Sequence, residues 1–408
     1  MRSQVLPLVL ALKAVTGVAA QVNYDGAKAF RIPTGQDITQ IKAVIDKLEL
    51  PVWKGAAYGV PNPNGKVDLV VPADKLAEFE GLSDGMNVEV LHTDLGASIS
   101  EENGVQQYAA GKLNIDYYKA YHPYVDHIQY LNDLHALYPN NSEIVVPGES
   151  VNGNPITGIH FYGNGGPGKP AVVIHGTVHA REWITTMTVE YLAYNLLSNY
   201  TTNAEIKGFV DKFDFFIFPV VNPDGFIYTQ TKDRLWRKNR QNSTESTCVG
   251  RDINRNWPYK WDTPGGEVAG DAPENLILRK HIDTLAAKQG VHLYIDVHSY
   301  SQLFMTPYGY SCSALPTNND HLQSLAKGTV NAIGAVYGTK YQYGPICTTI
   351  YQATGSSVDY VNDVTKATYA FTIELPDTGG HGFILPPSMI LPTSLETYQG
   401  FRYLFQNI

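Results

Sequence analysis

The 408-residue sequence predicts a small α+β ferredoxin-like module followed by a larger α/β domain, a mixed, mostly parallel sheet with helices on both faces. Three observations carry this prediction. Between residues 28 and 95, short segments switch between strand and helix periodicity in the order β-α-β-β-α-β. From Leu113 onward, apolar runs of strand length alternate with helical stretches, the pattern of strands buried on both faces. The length also exceeds what one average domain needs.

At the N-terminus, Arg2 precedes the apolar run Val5 to Leu12, and small residues follow up to Val18-Ala19-Ala20. Residues 1–20 therefore read as a signal peptide, although Lys13 interrupts the pattern. A secreted, extracellular product is expected. No later run is long and apolar enough to span a bilayer, so no membrane partner is expected. The formal charge of -9 argues against a nucleic-acid partner, which would favour a basic face. Sequons at Asn140, Asn199 and Asn242 are compatible with a secreted chain, though such triplets also arise by chance.

In the first module, Ala29 to Ile32 is extended, and Ile38 to Leu50 carries a helical stripe through Ile41, Val44, Ile45 and Leu48. Val52 to Lys54 and Lys66 to Val71 are strand-like, Ala73 to Leu82 is a short helix, and Asn87 to Leu91 closes the set. The polar stretch Thr93 to Lys112 reads as a linker open to proteolysis, with Lys112-Leu113 the nearest basic cleavage candidate. The expected division is 1–20, 21–112 and 113–408. In the last unit, Ala171 to His175, Phe215 to Val221, His292 to His298 and Tyr369 to Leu375 are strands. Trp183 to Leu197 and Leu276 to Lys288 are helices.

Open α/β sheets build their sites beyond the carboxyl ends of the strands. His179 and Glu182 follow the first of these strands, His298 ends the third, and Glu374 falls near the end of the fourth. An imidazole and a carboxylate three residues apart can face one ion, and a catalytic zinc takes three protein ligands. Taken alone, the pair is also what a solvated turn looks like, and a lone His at a strand end is often structural. Arg181, Arg237, Asn254 and Arg255 add groups suited to gripping a carboxylate. Arg234, Lys238 and Arg240 read instead as surface ion-pairing groups.

The segments His179-Ala-Arg-Glu-Trp, Arg234-Leu-Trp-Arg-Lys, Asp252-Ile-Asn-Arg-Asn-Trp, His298-Ser-Tyr-Ser-Gln, Ile350-Tyr-Gln-Ala and Phe371-Thr-Ile-Glu-Leu occur in that order. In this the chain resembles the zinc metallocarboxypeptidases of the pancreatic carboxypeptidase A/B type, including secreted fungal zymogens, from about residue 115 to the end. The first module resembles that family's inhibitory pro-domain. The resemblance implies one Zn²⁺ per chain held by His179, Glu182 and His298. It implies Glu374 as general base and acid, and Arg237 as stabiliser of the oxyanion. Asn254, Arg255 and Tyr351 would grip the terminal carboxylate, with Arg181 along the cleft and Tyr300 in the neighbouring subsite. Val358, at the base of the side-chain pocket, implies a preference for apolar or aromatic C-terminal residues, with Ala353, Thr372 and Gly309 as uncharged neighbours. The implied partners are peptide and protein C-termini and an activating protease; a monomer is expected. A catalytically impaired relative acting as a binding protein is the alternative.

The chain departs from the family in two places. The loop after Trp257 is short and lacks the cysteine that relatives bridge to the position of Cys248. With three cysteines in all, Cys312 and Cys347 are then the disulfide candidate and Cys248 stays a thiol. Pro376 stands where relatives often carry Arg.

Overall fold

The computed structural model describes residues 21–57, 59–102, 104–244, 247–262 and 268–408. The expected signal peptide and most of the shortened loop lie outside the described residues.

The first module has β1 (Lys28–Pro33), α1 (Thr39–Leu48), β2 (Val52–Lys54), β3 (Lys66–Val71), α2 (Leu76–Leu82) and β4 (Glu89–His92). The four strands form an antiparallel sheet in the order β2-β3-β1-β4, the ferredoxin-like arrangement. Alternation places Phe30 and Ile32 of β1 and Val67, Leu69 and Val71 of β3 against Ile41, Val44, Ile45 and Leu48 of α1. The other face of β1 and β3, with Ala29 and Val70, packs on the second unit through Trp53, Leu95, Leu235, Tyr300, Phe383 and Ile384.

One expectation fails here. The polar stretch after β4 is not simply an exposed linker. Leu95–Glu101 forms helix α3, capped where Asp94 accepts from Ala97 N at 3.0 Å. Glu102 beyond it is buried, because Arg234 donates to both its oxygens at 2.6 Å. Arg234 is thus no surface group: it is buried beneath α3 and stacks on Trp183, 3.7 Å from the ring centroid. The linker reading overlooked that carboxylates in a polar run can pair with a distant arginine. Lys112 is exposed.

The second unit runs α4 (Tyr124–Leu137), β5 (Ser142–Val145), β6 (Gly158–Phe161), β7 (Ala171–Gly176), α5 (Trp183–Asn199), α6 (Ala204–Lys212), β8 (Asp214–Phe218), α7 (Pro223–Thr231), α8 (Pro273–Gln289), β9 (Val291–Ser299), β10 (Leu303–Thr306), α9 (Asn319–Tyr337), β11 (Gln342–Pro345), β12 (Tyr369–Leu375) and α10 (Ile390–Asn407). Its eight-stranded sheet has the order β11-β10-β12-β9-β7-β8-β6-β5. The central strands β12, β9, β7 and β8 pair in parallel, and antiparallel pairing enters toward the edges. Val172 and Ile174 of β7 and Leu293, Ile295 and Val297 of β9 face the core shared with α5, α9 and α10. Val173 and Tyr294 face the opposite core, which holds Leu278, Ile282 and Leu285 of α8. Apolar residues at every position of these strands follow from burial on both faces. The disulfide joins Cys312 to Cys347, and Cys248 is exposed and outside any disulfide.

Candidate metal centre and substrate cleft

The parallel register of β9 and β12 sets His298 directly opposite Glu374. β7 lies on the other side of β9, and the turn after it carries His179 and Glu182. That turn is held by Thr177, which has φ +54° and whose hydroxyl meets Thr185 Oγ1 at 3.0 Å and Thr186 Oγ1 at 2.5 Å. Glu182 occupies the N-cap of α5, where the helix end favours a negative charge.

Three donors converge. His179 Nδ1 is 2.8 Å from Glu182 Oε1, His298 Nδ1 is 3.1 Å from Glu182 Oε2, and the two imidazole Nδ1 atoms are 3.1 Å apart. Ligands about 2.0–2.1 Å from a tetrahedral ion are separated by roughly 3.3 Å, so this donor set fits zinc. Among the described residues, no other group of His, Cys, Asp and Glu could hold a metal ion. Burial works against ionisation of Glu182, yet the charges of His179 and His298 hold its carboxyl well below the usual range.

Carboxylates surround this trio. Asp252 Oδ1 lies 3.3 Å from His179 Nε2, and its Oδ2 accepts from Arg237 Nε at 2.9 Å. Burial opposes the charge on Asp252, but Arg237 and His179 keep it ionised. On the other side, Asp296 Oδ1 lies 2.9 Å from His298 Nε2. Neither Asp252 nor Asp296 was singled out by its motif. The available signal was position: in an extended strand, residues two apart share a face, so Asp296 points the same way as His298.

The expected carboxylate anchors gather beside the trio. Arg255 Nη2 donates to the Tyr351 hydroxyl at 2.9 Å, and Nη1 donates to the Asn254 carbonyl at 2.7 Å. Asn254, Arg255 and Tyr351 line one small cavity with His179, His298, Arg237 and Glu374. Its far wall is Val358, Ala353, Thr372, Met305 and Ile346, all uncharged. Gly309 lies behind this wall rather than on it, where a Cβ would fall 2.8 Å from the Ala353 carbonyl.

Two expected site residues are engaged by the first module instead. Arg181 Nη2 donates to the Trp53 carbonyl at 2.9 Å, and the Tyr300 hydroxyl donates to Asp68 Oδ2 at 2.6 Å. Burial, with Arg237 nearby, pushes Arg181 down to about 10. The third contact is the most direct: Lys54 Nζ donates to Glu374 Oε2 at 3.0 Å. A cavity of about 790 Å³ remains beneath β2, lined by Lys54, Arg181, Glu182, Arg237, Arg255, Tyr351 and Glu374 among others. The residues Lys54, Asp68 and Glu102 were invisible as interface groups in sequence, because their partners lie 320, 232 and 132 positions away.

The zinc carboxypeptidase family profile matches residues 127–400, and the carboxypeptidase activation peptide profile matches residues 30–102. The chain belongs to the zinc carboxypeptidase family. This carboxypeptidase is 45% identical to metallocarboxypeptidase A of Trichophyton rubrum over 416 residues, covering 98% of this chain and 97% of the relative. It is 35% identical to mouse carboxypeptidase A4, with 96% of each chain covered. A crystal structure of thrombin activatable fibrinolysis inhibitor superposes with a TM-score of 0.86 at 25% identity, covering 94% of this chain and 98% of that one. The carboxypeptidase is therefore a zinc-dependent peptide hydrolase, made as a precursor with an activation peptide and using one catalytic Zn²⁺.

Proposed function

We propose that this precursor yields a secreted, extracellular A-type enzyme that removes apolar or aromatic residues from peptide C-termini. The observation carrying this reading is one cavity lined by His179 and His298 of the converging trio, the Arg255–Tyr351 pair and the uncharged wall around Val358. A free carboxylate gripped by Arg255, Asn254 and Tyr351 fixes which bond meets the metal, which favours an exopeptidase. An uncharged wall has nothing to pair with Lys or Arg, while an aromatic ring gains burial there.

His179, Glu182 and His298 would hold the zinc, which when bound acidifies water and polarises a carbonyl. Glu374, opposite His298, accepts the proton of the attacking water at a carboxylate oxygen and returns it to the leaving amine nitrogen. Arg237, oriented by Asp252, donates to the carbonyl oxygen as negative charge develops on it. Arg181 and Tyr300 contact the substrate chain further from the scissile bond, once Trp53 and Asp68 have left them.

The proposed units are a signal peptide over 1–20, a pro-domain with its connecting segment over 21–112, and a catalytic domain over 113–408. Exposed Lys112 is the proposed activation site. Among the described residues, no helix is long and apolar enough to cross a membrane. The test is release of C-terminal Phe from a blocked peptide after limited proteolysis, with and without a zinc chelator, beside a matched peptide ending in Lys. Chelator-sensitive release that favours Phe is expected. Faster release of Lys would refute the A-type reading, and chelator-insensitive release would refute the site.

A further inference from the structure

We propose that Asp296 is a positioning residue that locks the metal ligand His298, the anchor Asn254 and the wall of the specificity pocket into one buried unit. The inference rests on the roles proposed above for those groups. Asp296 lies on β9 and has no exposed surface. A buried carboxylate is costly unless it is paired, and an apolar side chain would fill the same space without that cost. Apart from His175, the groups that surround Asp296 lead to the site.

Its Oδ2 accepts from Asn254 Nδ2 at 3.0 Å and from Ser357 Oγ at 2.5 Å. Asn254 Oδ1 in turn accepts from Ser357 N at 2.8 Å. The Asn254 amide is therefore held at both ends, and it cannot flip without losing both bonds. Asp296 Oδ1 lies 2.9 Å from His298 Nε2 and 3.4 Å from His175 Nδ1, as close polar contacts rather than aligned hydrogen bonds. His298 Nε2 also lies 3.0 Å from Asn254 Nδ2. With His298 Nδ1 turned to a metal, Nε2 carries the ring proton. The amide NH₂ of Asn254 cannot accept that proton, whereas Asp296 Oδ1 can.

The third arm reaches the pocket. The Asp296 carbonyl accepts from Thr372 Oγ1 at 3.0 Å, and Thr372 lines the cavity with Val358. Ser357, held by the Asp296 side chain, is the residue before Val358. One side chain thus lies against the imidazole and holds the amide and the segment that presents Val358. Partners of metal ligands usually change metal affinity about 10–100-fold when removed. Here the same loss must also be felt by the substrate carboxylate.

The experiment uses Asp296→Asn, with Asn254→Ala and the double variant completing a cycle. In the full precursor, zinc affinity is measured by chelator competition, and the absorption spectrum of the Co²⁺-substituted protein is recorded. After proteolytic activation, KM and kcat are measured on a blocked peptide ending in Phe. Asp296→Asn is expected to weaken zinc binding about 10–100-fold and shift the cobalt spectrum. It should raise KM about tenfold, and this increase should vanish in the Asn254→Ala background. Unchanged zinc affinity and spectrum, or KM effects that simply add, would overturn the role. If Asp296→Asn does not fold, Ser357→Ala tests the substrate arm alone, since Ser357 bonds Asp296 and Asn254: a severalfold rise in KM with zinc affinity kept supports the unit, and an unchanged KM overturns it. A cobalt spectrum indifferent to His298→Ala would instead refute the metal-site reading itself.

Discussion

Glu374, the proposed general base, stands opposite His298 because the parallel register of two strands puts it there. Glu374→Gln keeps the shape and removes the base. The expected outcome is a fall in kcat of about 10²–10⁴ with zinc content unchanged, read by steady-state kinetics beside metal analysis. A second carboxyl is informative for stability. Burial pushes Glu396 from 4.5 up to about 7, against the opposing hydrogen bond from Thr339. A raised folded pKa means the native state holds this proton more tightly than the unfolded chain. Its contribution is complete below about pH 4.5 and is lost as pH rises to about 7. Thermal melts should therefore show a decline across this window that is flattened in Glu396→Gln.

At the scale of elements, the decisive piece is β2 with the turn after it. Trp53 offers its carbonyl to Arg181, and Lys54 places its ammonium on Glu374. Lys54→Met keeps the length and removes the charge. It should raise the activity of the uncleaved precursor toward small substrates by about tenfold, which a chromogenic dipeptide assay would read. The disulfide between Cys312 and Cys347 closes a separation of 35 residues and adjoins Ile346 of the pocket wall. Loop-closure entropy sets its contribution at about 3–4 kcal/mol, so Cys312→Ser should lower the unfolding midpoint accordingly. Thiol titration of the unreduced wild type should find one reactive group, Cys248.

At the scale of the whole molecule, two units share an interface built from apolar residues and buried ion pairs. Glu102 and Arg234 are its innermost pair, with side chains 1% and 4% exposed. Removing one partner strands the other charge, at a cost of about 3–5 kcal/mol. Glu102→Gln should destabilise the precursor by that order in denaturant titrations. Once the residues up to the proposed cleavage site at Lys112 are released, the remaining enzyme should unfold as wild type does, because Glu102 has left with them.

Much of this was legible in the chain. Local periodicity predicted the first module, and continuous apolar runs of strand length predicted the larger sheet, since burial on both faces leaves no polar position in a central strand. His179, Glu182, His298 and Glu374 stood out as candidates because strand ends are where α/β sheets put their sites, and the fold brings them together. Asp252 and Asp296 were not read, because a carboxylate's partner depends on how neighbouring strands stack. Arg234 was misread as a surface group, and residues 95–101 as linker, because each depends on a partner far along the chain. Local pattern thus determined the elements and the identity of the chemical groups. Only the tertiary structure decided which charges meet, because pairing between Lys54 and Glu374, or Glu102 and Arg234, depends on a docking geometry that no local spacing encodes.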